Sequence, residues 1–516
     1  MDNKIETKIL GIVAFVMMFI AAHSILKGGV LNYAKALTFL SPFLFIIVIR
    51  TRASWHIMLM GSLVANGVTI PVYGLQQITL TMILLPCVFA VYVAETALDH
   101  SRRQRGLGTW VDRSVFVMAC ILTVRIVHDR PGFVGLGMGQ GGFFNAFKIV
   151  SAAWFYFAAK KMFAEASFTR KGLCVAGTIV ALAGVYDMLK GDHTEFLWRP
   201  LGAPSFWMLC AILLALLSTS NRALTRTLWT HLVSLLFIAA GVLSGYRARV
   251  AYFFAEALLI SYYGKRLLKT AVFLSAVGAA GVVLILSVSD TVPDVLRRFV
   301  SLFMETEKST AFLSGAYGWA DSFREELVRL AFIEIRKNPL AGSGFGLNVS
   351  EAIGILTANA NRDLSLLALA GEYHNSLLMI AVKAGLPVAI IFIVISVVIA
   401  YRFIGAVKKT TDQDIRVWGM AISAFWVANV IHMQVNGGPV EYLTCMILNG
   451  FMMGMMKNPA MRPLGGSTLS GGKEKPESAG NNLATCGDRV VMRRTKTVSA
   501  SDCTKKGELC LKTKRY

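Results

Sequence analysis

Charge is scarce in this chain: Asp, Glu, Lys and Arg together make up 16% of its 516 residues, against 55% hydrophobic residues and a mean hydropathy of +0.58. A water-soluble protein of this length would carry more charge, so the shortage argues for a polytopic membrane protein. Acidic residues are the scarcer sign, 30 against 52 Lys and Arg, for a net charge of +22. Nucleic acid could answer such an excess, but zinc-finger, helix-turn-helix and RNA-binding signatures are missing, so no nucleic-acid partner is expected. The enrichment of Lys and Arg in cytoplasmic loops accounts for the charge instead. Five of the eight cysteines, Cys87, Cys120, Cys174, Cys210 and Cys445, fall in apolar runs, and Cys486, Cys503 and Cys510 lie near the C-terminus. None falls in the long polar stretch Asp290–Tyr373, so no disulfide framework is implied, and metal-ligand spacing is absent too. The first apolar run, Ile9–Leu26, follows Lys4 and Lys8 but lacks a small-x-small cleavage site. It reads as a retained first helix rather than a signal peptide.

What the chain has in quantity is apolar runs of roughly 17 to 25 residues, each long enough to cross a hydrocarbon core about 30 Å thick. Candidate spans cover residues 9–26, 31–49, 55–73, 77–97, 114–128, 142–159, 172–189, 204–220, 228–245, 250–263, 268–288, 376–400, 416–434 and 440–456. Runs of this length lack the alternation of barrel strands, so the expected fold is an all-α polytopic integral membrane protein with about 12–14 transmembrane helices and one long loop. The domain order is then a transmembrane bundle (1–289), a loop (290–373), C-terminal transmembrane helices (374–457) and a basic tail (458–516) too poor in large apolar residues to fold alone. Such a tail would lie against anionic lipid.

Connections alternate in basicity. Arg50/Arg52, Arg102-Arg103-Gln104-Arg105, Lys160/Lys161 with Arg170/Lys171, Arg222/Arg226, Lys265/Arg266/Lys269 and Arg402/Lys408/Lys409/Arg416 fall on one side, expected to be the cytoplasm. The stretch Asp290–Tyr373, with eleven acidic and eight basic residues, falls on the other. Both termini are expected to be cytoplasmic and the loop periplasmic.

The loop ends at Glu372-Tyr373-His374-Asn375-Ser376 and opens directly into an apolar run. A histidine at that boundary, with a near-neutral pKa, is placed to exchange a proton beside a lipid-borne substrate. Upstream, Phe323–Lys337 has helical spacing and carries Arg324, Arg329 and Arg336, and Asn338-Pro339 should end that helix. Leu340-Ala341-Gly342-Ser343-Gly344-Phe345-Gly346 then makes a glycine-rich turn able to bring backbone N–H groups close to an anion, although most such turns are only turns. On the same expected side lies Leu243-Ser244-Gly245-Tyr246-Arg247, followed by Arg249.

This combination resembles the O-antigen ligase/polymerase family of bacterial surface-polysaccharide enzymes. The resemblance rests on Arg324, on Pro339-Leu340-x-Gly342-x-Gly344 fifteen residues further on, and on His374-Asn375 followed after nine intervening residues by Gly385 in Lys383-Ala384-Gly385-Leu386-Pro387. Ser244-Gly245-Tyr246-Arg247 is similar to the family's Ser-Arg-Gly element, with Ala248 where the family often has Gly and Arg249 as a second candidate for the arginine. Val328 and Val388 also depart from the usual pattern.

The resemblance implies transfer of a glycan from undecaprenyl diphosphate to an acceptor hydroxyl at the periplasmic face of the bacterial inner membrane. Arginine's planar fork suits a diphosphate, which makes Arg247 and Arg324 the expected binding pair and Arg249 the alternative. His374 is the expected base for the acceptor hydroxyl, with Asn375, Gly342 and Gly344 in support. A diphosphate leaving group is already activated, so neither a metal nor any other cofactor is called for, and a single displacement would invert the anomeric carbon.

The expected partners are the lipid-linked glycan, a glycan or lipid A-core acceptor, membrane lipids, a flippase and a chain-length regulator. Polymerisation of lipid-linked repeats is the expected activity, with ligation to lipid A-core or protein, or transport of the lipid-linked oligosaccharide, as the alternatives. Each residue also has a plainer role: helix capping for His374, headgroup binding for Arg247, pairing with Asp321, Glu325 or Glu326 for Arg324. The ionisable residues inside apolar runs, Arg125, Lys148, Asp187 and Glu256, are costly there and read first as structural pairs.

Overall fold

The structure, a computed structural model, describes residues 109–129, 142–190, 204–219, 223–243, 247–287, 318–345, 373–435 and 437–461, together with two strands nearer the N-terminus. The expected spans at 9–26 and 31–49, the greater part of those at 55–73 and 77–97, and the basic tail from residue 462 lie outside the described residues. The strands are β1 (Thr69–Val72) and β2 (Leu75–Thr79), paired antiparallel with a register shift between Ile70 and Val72. This hairpin corrects the expectation of helix up to residue 73 and again from residue 77. Pro71 lies at the register shift, where its missing N–H removes a ladder bond, and β-branched Thr69, Ile70 and Val72 suit a strand.

All other described regular structure is helical: α1 (Trp110–Asp129), α2 (Gly142–Glu165), α3 (Arg170–Lys190), α4 (Pro204–Ser218), α5 (Ala223–Leu243), α6 (Arg247–Tyr263), α7 (Leu267–Ser287), α8 (Gly318–Lys337), α9 (Ser376–Ala384), α10 (Leu386–Lys409), α11 (Gln413–Val435) and α12 (Pro439–Lys457), then a short 3-10 turn at Pro459–Met461. Among these, α10 and α11 are long and apolar enough to cross a membrane. The outer face of α10 is apolar and exposed at Ile390, Val394, Val397 and Tyr401, which recur at helical spacing.

The tightest helix pair is α2 against α12. Gly450 and Gly454, four residues apart, make it possible: a Cβ at 450 would stand 2.5 Å from the Tyr156 carbonyl oxygen, and one at 454 would stand 2.7 Å from Phe163 Cβ. Small residues at this spacing let two helix backbones approach closely. The Phe163 and Phe451 rings stack at 3.8 Å beside them, and Asn458 Nδ2 donates to the Ala166 carbonyl at 2.9 Å, closing the end of the pair.

Two features set the region around His374. Residues 376–400 do not form one span, as the sequence suggested. Gly385, at φ 92°, divides them into α9 and α10, and Pro387 begins the second helix where a missing N–H costs nothing. Helix α8 covers the expected Phe323–Lys337 segment and packs on α9. It buries Leu327, Ala331 and Ile335, one residue per turn, while Arg329, Arg336 and Lys337 stay outside.

Candidate functional site

His374 stands immediately before the N-cap of α9 with φ 51°, a left-handed conformation uncommon outside glycine, which histidine tolerates better than β-branched residues. Asn375 is the cap. Its Oδ1 accepts from the N–H groups of Leu377 and Leu378 at 3.0 and 3.1 Å, and its Nδ2 donates to the Gln434 main-chain and side-chain oxygens, both at 3.2 Å. Ser376 Oγ donates to the Gly438 carbonyl at 2.8 Å. The turn carrying His374 is therefore tied on one side to its own helix and on the other to the connection between α11 and α12.

Burial and then the positive charge of Arg324 hold the His374 imidazole below its ordinary range. A neutral imidazole is the form that can accept a proton. Arg324 is half-buried on α8, and among the described residues no carboxylate pairs with it. Glu326 is held instead by Arg329, whose Nε lies 2.7 Å from it, which removes one plain role the sequence offered for Arg324.

Arg249, near the start of α6, is buried, and its charge reaches Tyr252 on the same helix, as do the charges of Glu441 and Arg324. Through these charges Tyr252 and Arg249 of α6, Arg324 of α8, Glu441 of α12 and His374, which precedes α9, fall in one electrostatic neighbourhood. Arg247 is the first residue of α6, and residue 251, one turn further on, is exposed. Residues 247 and 249 are about 200° apart around a helix, so the two arginines occupy different faces of α6.

The glycine turn has a different role from the one its composition suggested. Four of its N–H groups are already taken: Gly342 donates to Asn338 O (2.9 Å), Ser343 to Val382 O (2.6 Å), Gly344 to Lys383 O (3.1 Å) and Phe345 to Asp129 Oδ2 (2.9 Å). Gly342 and Gly344, at φ 72° and 84°, let the turn lie directly on the end of α9, where Cβ atoms would meet Lys383 and Asp129. Arg125 completes the lock, pairing with Asp129 at 2.9 Å and donating to Gly342 O at 3.2 Å. One of the costly ionisable residues inside an apolar run is thereby explained as a pin for the turn. Another, Glu256, is fully buried beside Cys210, while the side chain of Asp187 lies outside the described residues.

Three polar residues of this neighbourhood were not singled out from sequence. Tyr252 Oη lies 2.8 Å from His432 Nδ1, and His432 Nε2 lies 3.5 Å from Glu441 Oε1. Trp207 of α4 packs its ring edge-on against both His432 and Tyr252, at 4.4 and 4.6 Å between centroids. An ionisable group inside an apolar run is the signal that marks His432, as it marks Glu256. Tyr252 carries no such signal, because an apolar helix accommodates tyrosine readily.

No protein-family model matches this chain, and no curated protein matches it either.

Proposed function

We propose that the chain is a multi-pass protein of the bacterial inner membrane that transfers a glycan from undecaprenyl diphosphate to an acceptor hydroxyl at the periplasmic face, polymerising lipid-linked repeat units. The observation that carries this reading is the half-buried His374 imidazole at the start of α9, held below its ordinary range by burial and then by the charge of Arg324, a guanidinium that no carboxylate among the described residues neutralises. The apolar exposed face of α10 supports the membrane setting.

In this reaction the acceptor oxygen forms a bond to the anomeric carbon while the bond from that carbon to the diphosphate oxygen breaks. Undecaprenyl diphosphate leaves with the electron pair, and the acceptor proton passes to a ring nitrogen of His374 and then to solvent. Arg324 and a second arginine hold the diphosphate through planar, charge-assisted hydrogen bonds. Arg249 is buried and acts on Tyr252 together with Arg324, which supports it as that second arginine, while the side chain of Arg247, the other candidate, lies outside the described residues. Asn375 fixes the turn that presents the imidazole, and Gly342 and Gly344 seat the loop that follows α8 against α9.

The test is His374→Ala in membranes at matched expression, with product and binding of lipid-linked glycan measured in parallel. Transfer should fall by on the order of 10² to 10⁴ while binding persists. Near-normal product from this variant refutes the reading. Product analysis separates polymer from glycan ligated to lipid A-core.

A further inference from the structure

An unbroken line of polar contacts runs from helix α6 to the His374 turn. It begins at Tyr252 Oη, 2.8 Å from His432 Nδ1, and continues from His432 Nε2 to Glu441 Oε1 at 3.5 Å. The other oxygen of the same carboxylate, Glu441 Oε2, accepts the Gly438 N–H at 2.6 Å, and the Gly438 carbonyl accepts from Ser376 Oγ at 2.8 Å. Ser376 is two residues from His374. Alongside, Asn375 Nδ2 binds Gln434, two residues from His432, and Asn429 Nδ2 holds the Glu441 carbonyl at 3.1 Å. The carboxylate favours the imidazole proton on Nε2, which leaves Nδ1 to accept from the tyrosine hydroxyl, so each member of the line has a defined donor or acceptor role.

Where the line starts matters as much as where it ends. Tyr252 lies one helical turn from Arg249, is fully buried, and is edge-packed by Trp207. Both ring nitrogens of His432 are engaged, by Tyr252 and by Glu441, so this second imidazole is suited to hold position rather than to accept a proton from substrate. The contacts join α6 to α11, α12 and the start of α9, and they add polar links between the Arg249 end of α6 and the His374 turn to the packing of α6 and α9 on α11.

We propose that Tyr252, His432 and Glu441 are positioning residues, a strap of polar contacts that sets the His374 imidazole relative to the arginine-bearing end of α6. Removing one link lets the 434–438 connection, and with it the His374 turn, move independently of α6.

The experiment uses the full-length protein in detergent with Tyr252→Phe and Glu441→Gln, and Asp414→Asn, which breaks a partly exposed pair with Arg170 at the opposite end of α11 from His432, as the control. Carbethoxylation of individual histidines by diethylpyrocarbonate is followed by mass spectrometry. In both strap variants the modification rate of His374 should rise about two- to tenfold, the equivalent of one hydrogen bond, and that of His432 should rise as well, while the control stays at the wild-type rate. A His374 rate unchanged in Tyr252→Phe overturns the proposal, whether or not His432 becomes more reactive. Tyr252→Phe removes a single hydroxyl and keeps the ring, so the question remains answerable if Glu441→Gln folds poorly.

A second arm measures transfer and rests on the transfer reading above: kcat should fall by a similar factor with KM little changed, and Glu441→Asp should restore part of the loss. The modification arm needs no enzymatic activity. A rise in His374 reactivity with no transferase activity in the wild-type protein would overturn the functional reading and leave the strap standing.

Discussion

Gly385→Ala should unseat the glycine turn from the corner between α9 and α10. At φ 92° and ψ 159°, residue 385 occupies a backbone region that is essentially restricted to glycine, and forcing a side chain into it costs about 1–3 kcal/mol. The added Cβ would also run into the Leu340 carbonyl, with the oxygen closer still than the carbon at 2.7 Å, and both belong to the backbone of a turn that cannot simply rotate away. Overpacking of this kind costs about a further 1–3 kcal/mol. The combined loss of about 2–6 kcal/mol is large beside a typical folding stability of about 5–15 kcal/mol. The Leu386 N–H bond to Pro339 O, at 2.8 Å, would be lost or lengthened with it. The assay is thermal unfolding of the purified protein, with Gly405→Ala as comparison. Gly405 lies within α10, a Cβ there meets nothing within 4 Å, and alanine is the better helix former by up to about 1 kcal/mol. Gly405→Ala should therefore melt at or above the wild-type temperature and Gly385→Ala well below it. Equal melting temperatures for the two variants would refute the account of the corner.

Arg324→Lys should lose most transfer activity while the protein still inserts, because a point charge does not replace a planar fork, and Arg249→Lys should follow it; Arg247→Lys proving the sensitive one would move the binding arginine to the other face of α6. Arg324→Gln removes a charge that depresses the His374 pKa, so the acid limb of the rate profile should shift to higher pH. The sign also carries to stability: with His374 below its ordinary value in the folded state, the unfolded chain binds the proton more readily, so this residue's contribution to stability is lost as pH falls, and an unchanged acid limb in Arg324→Gln would exclude the coupling. Reporter fusions after Arg105, Arg170 and Lys409 should report the cytoplasm and fusions near Lys308 or Asn359 the periplasm, and a cytoplasmic signal at Lys308 would invert the topology.

Local pattern carried the helices of the described region. Apolar runs between basic connections place α3, α7, α11 and α12 to within a few residues, because length and hydrophobicity are properties of a single segment. The cap at Asn375 is local in the same way, since the two N–H groups its Oδ1 accepts from lie within three residues. The end of α8 at Asn338-Pro339 and the break at Gly385 are written in glycine and proline, yet the apolar content on both sides of residue 385 reads as one span. Only the turn pressed against that residue, through the Leu340 carbonyl, decides that the backbone must bend there.

Tertiary structure alone decided which polar groups meet. Arg125 finds the Gly342 carbonyl 217 residues away, and Tyr252 finds His432 across 180. Such partners share no periodicity and no spacing, so the sequence could mark Arg125 only as a charge that needed a partner. Whether the glycine turn was open to an anion or already closed on protein carbonyls depended likewise on what lay beside it. Backbone N–H groups are identical in every sequence, and only the end of α9 and Asp129 of α1 show that those of Ser343, Gly344 and Phe345 are spent.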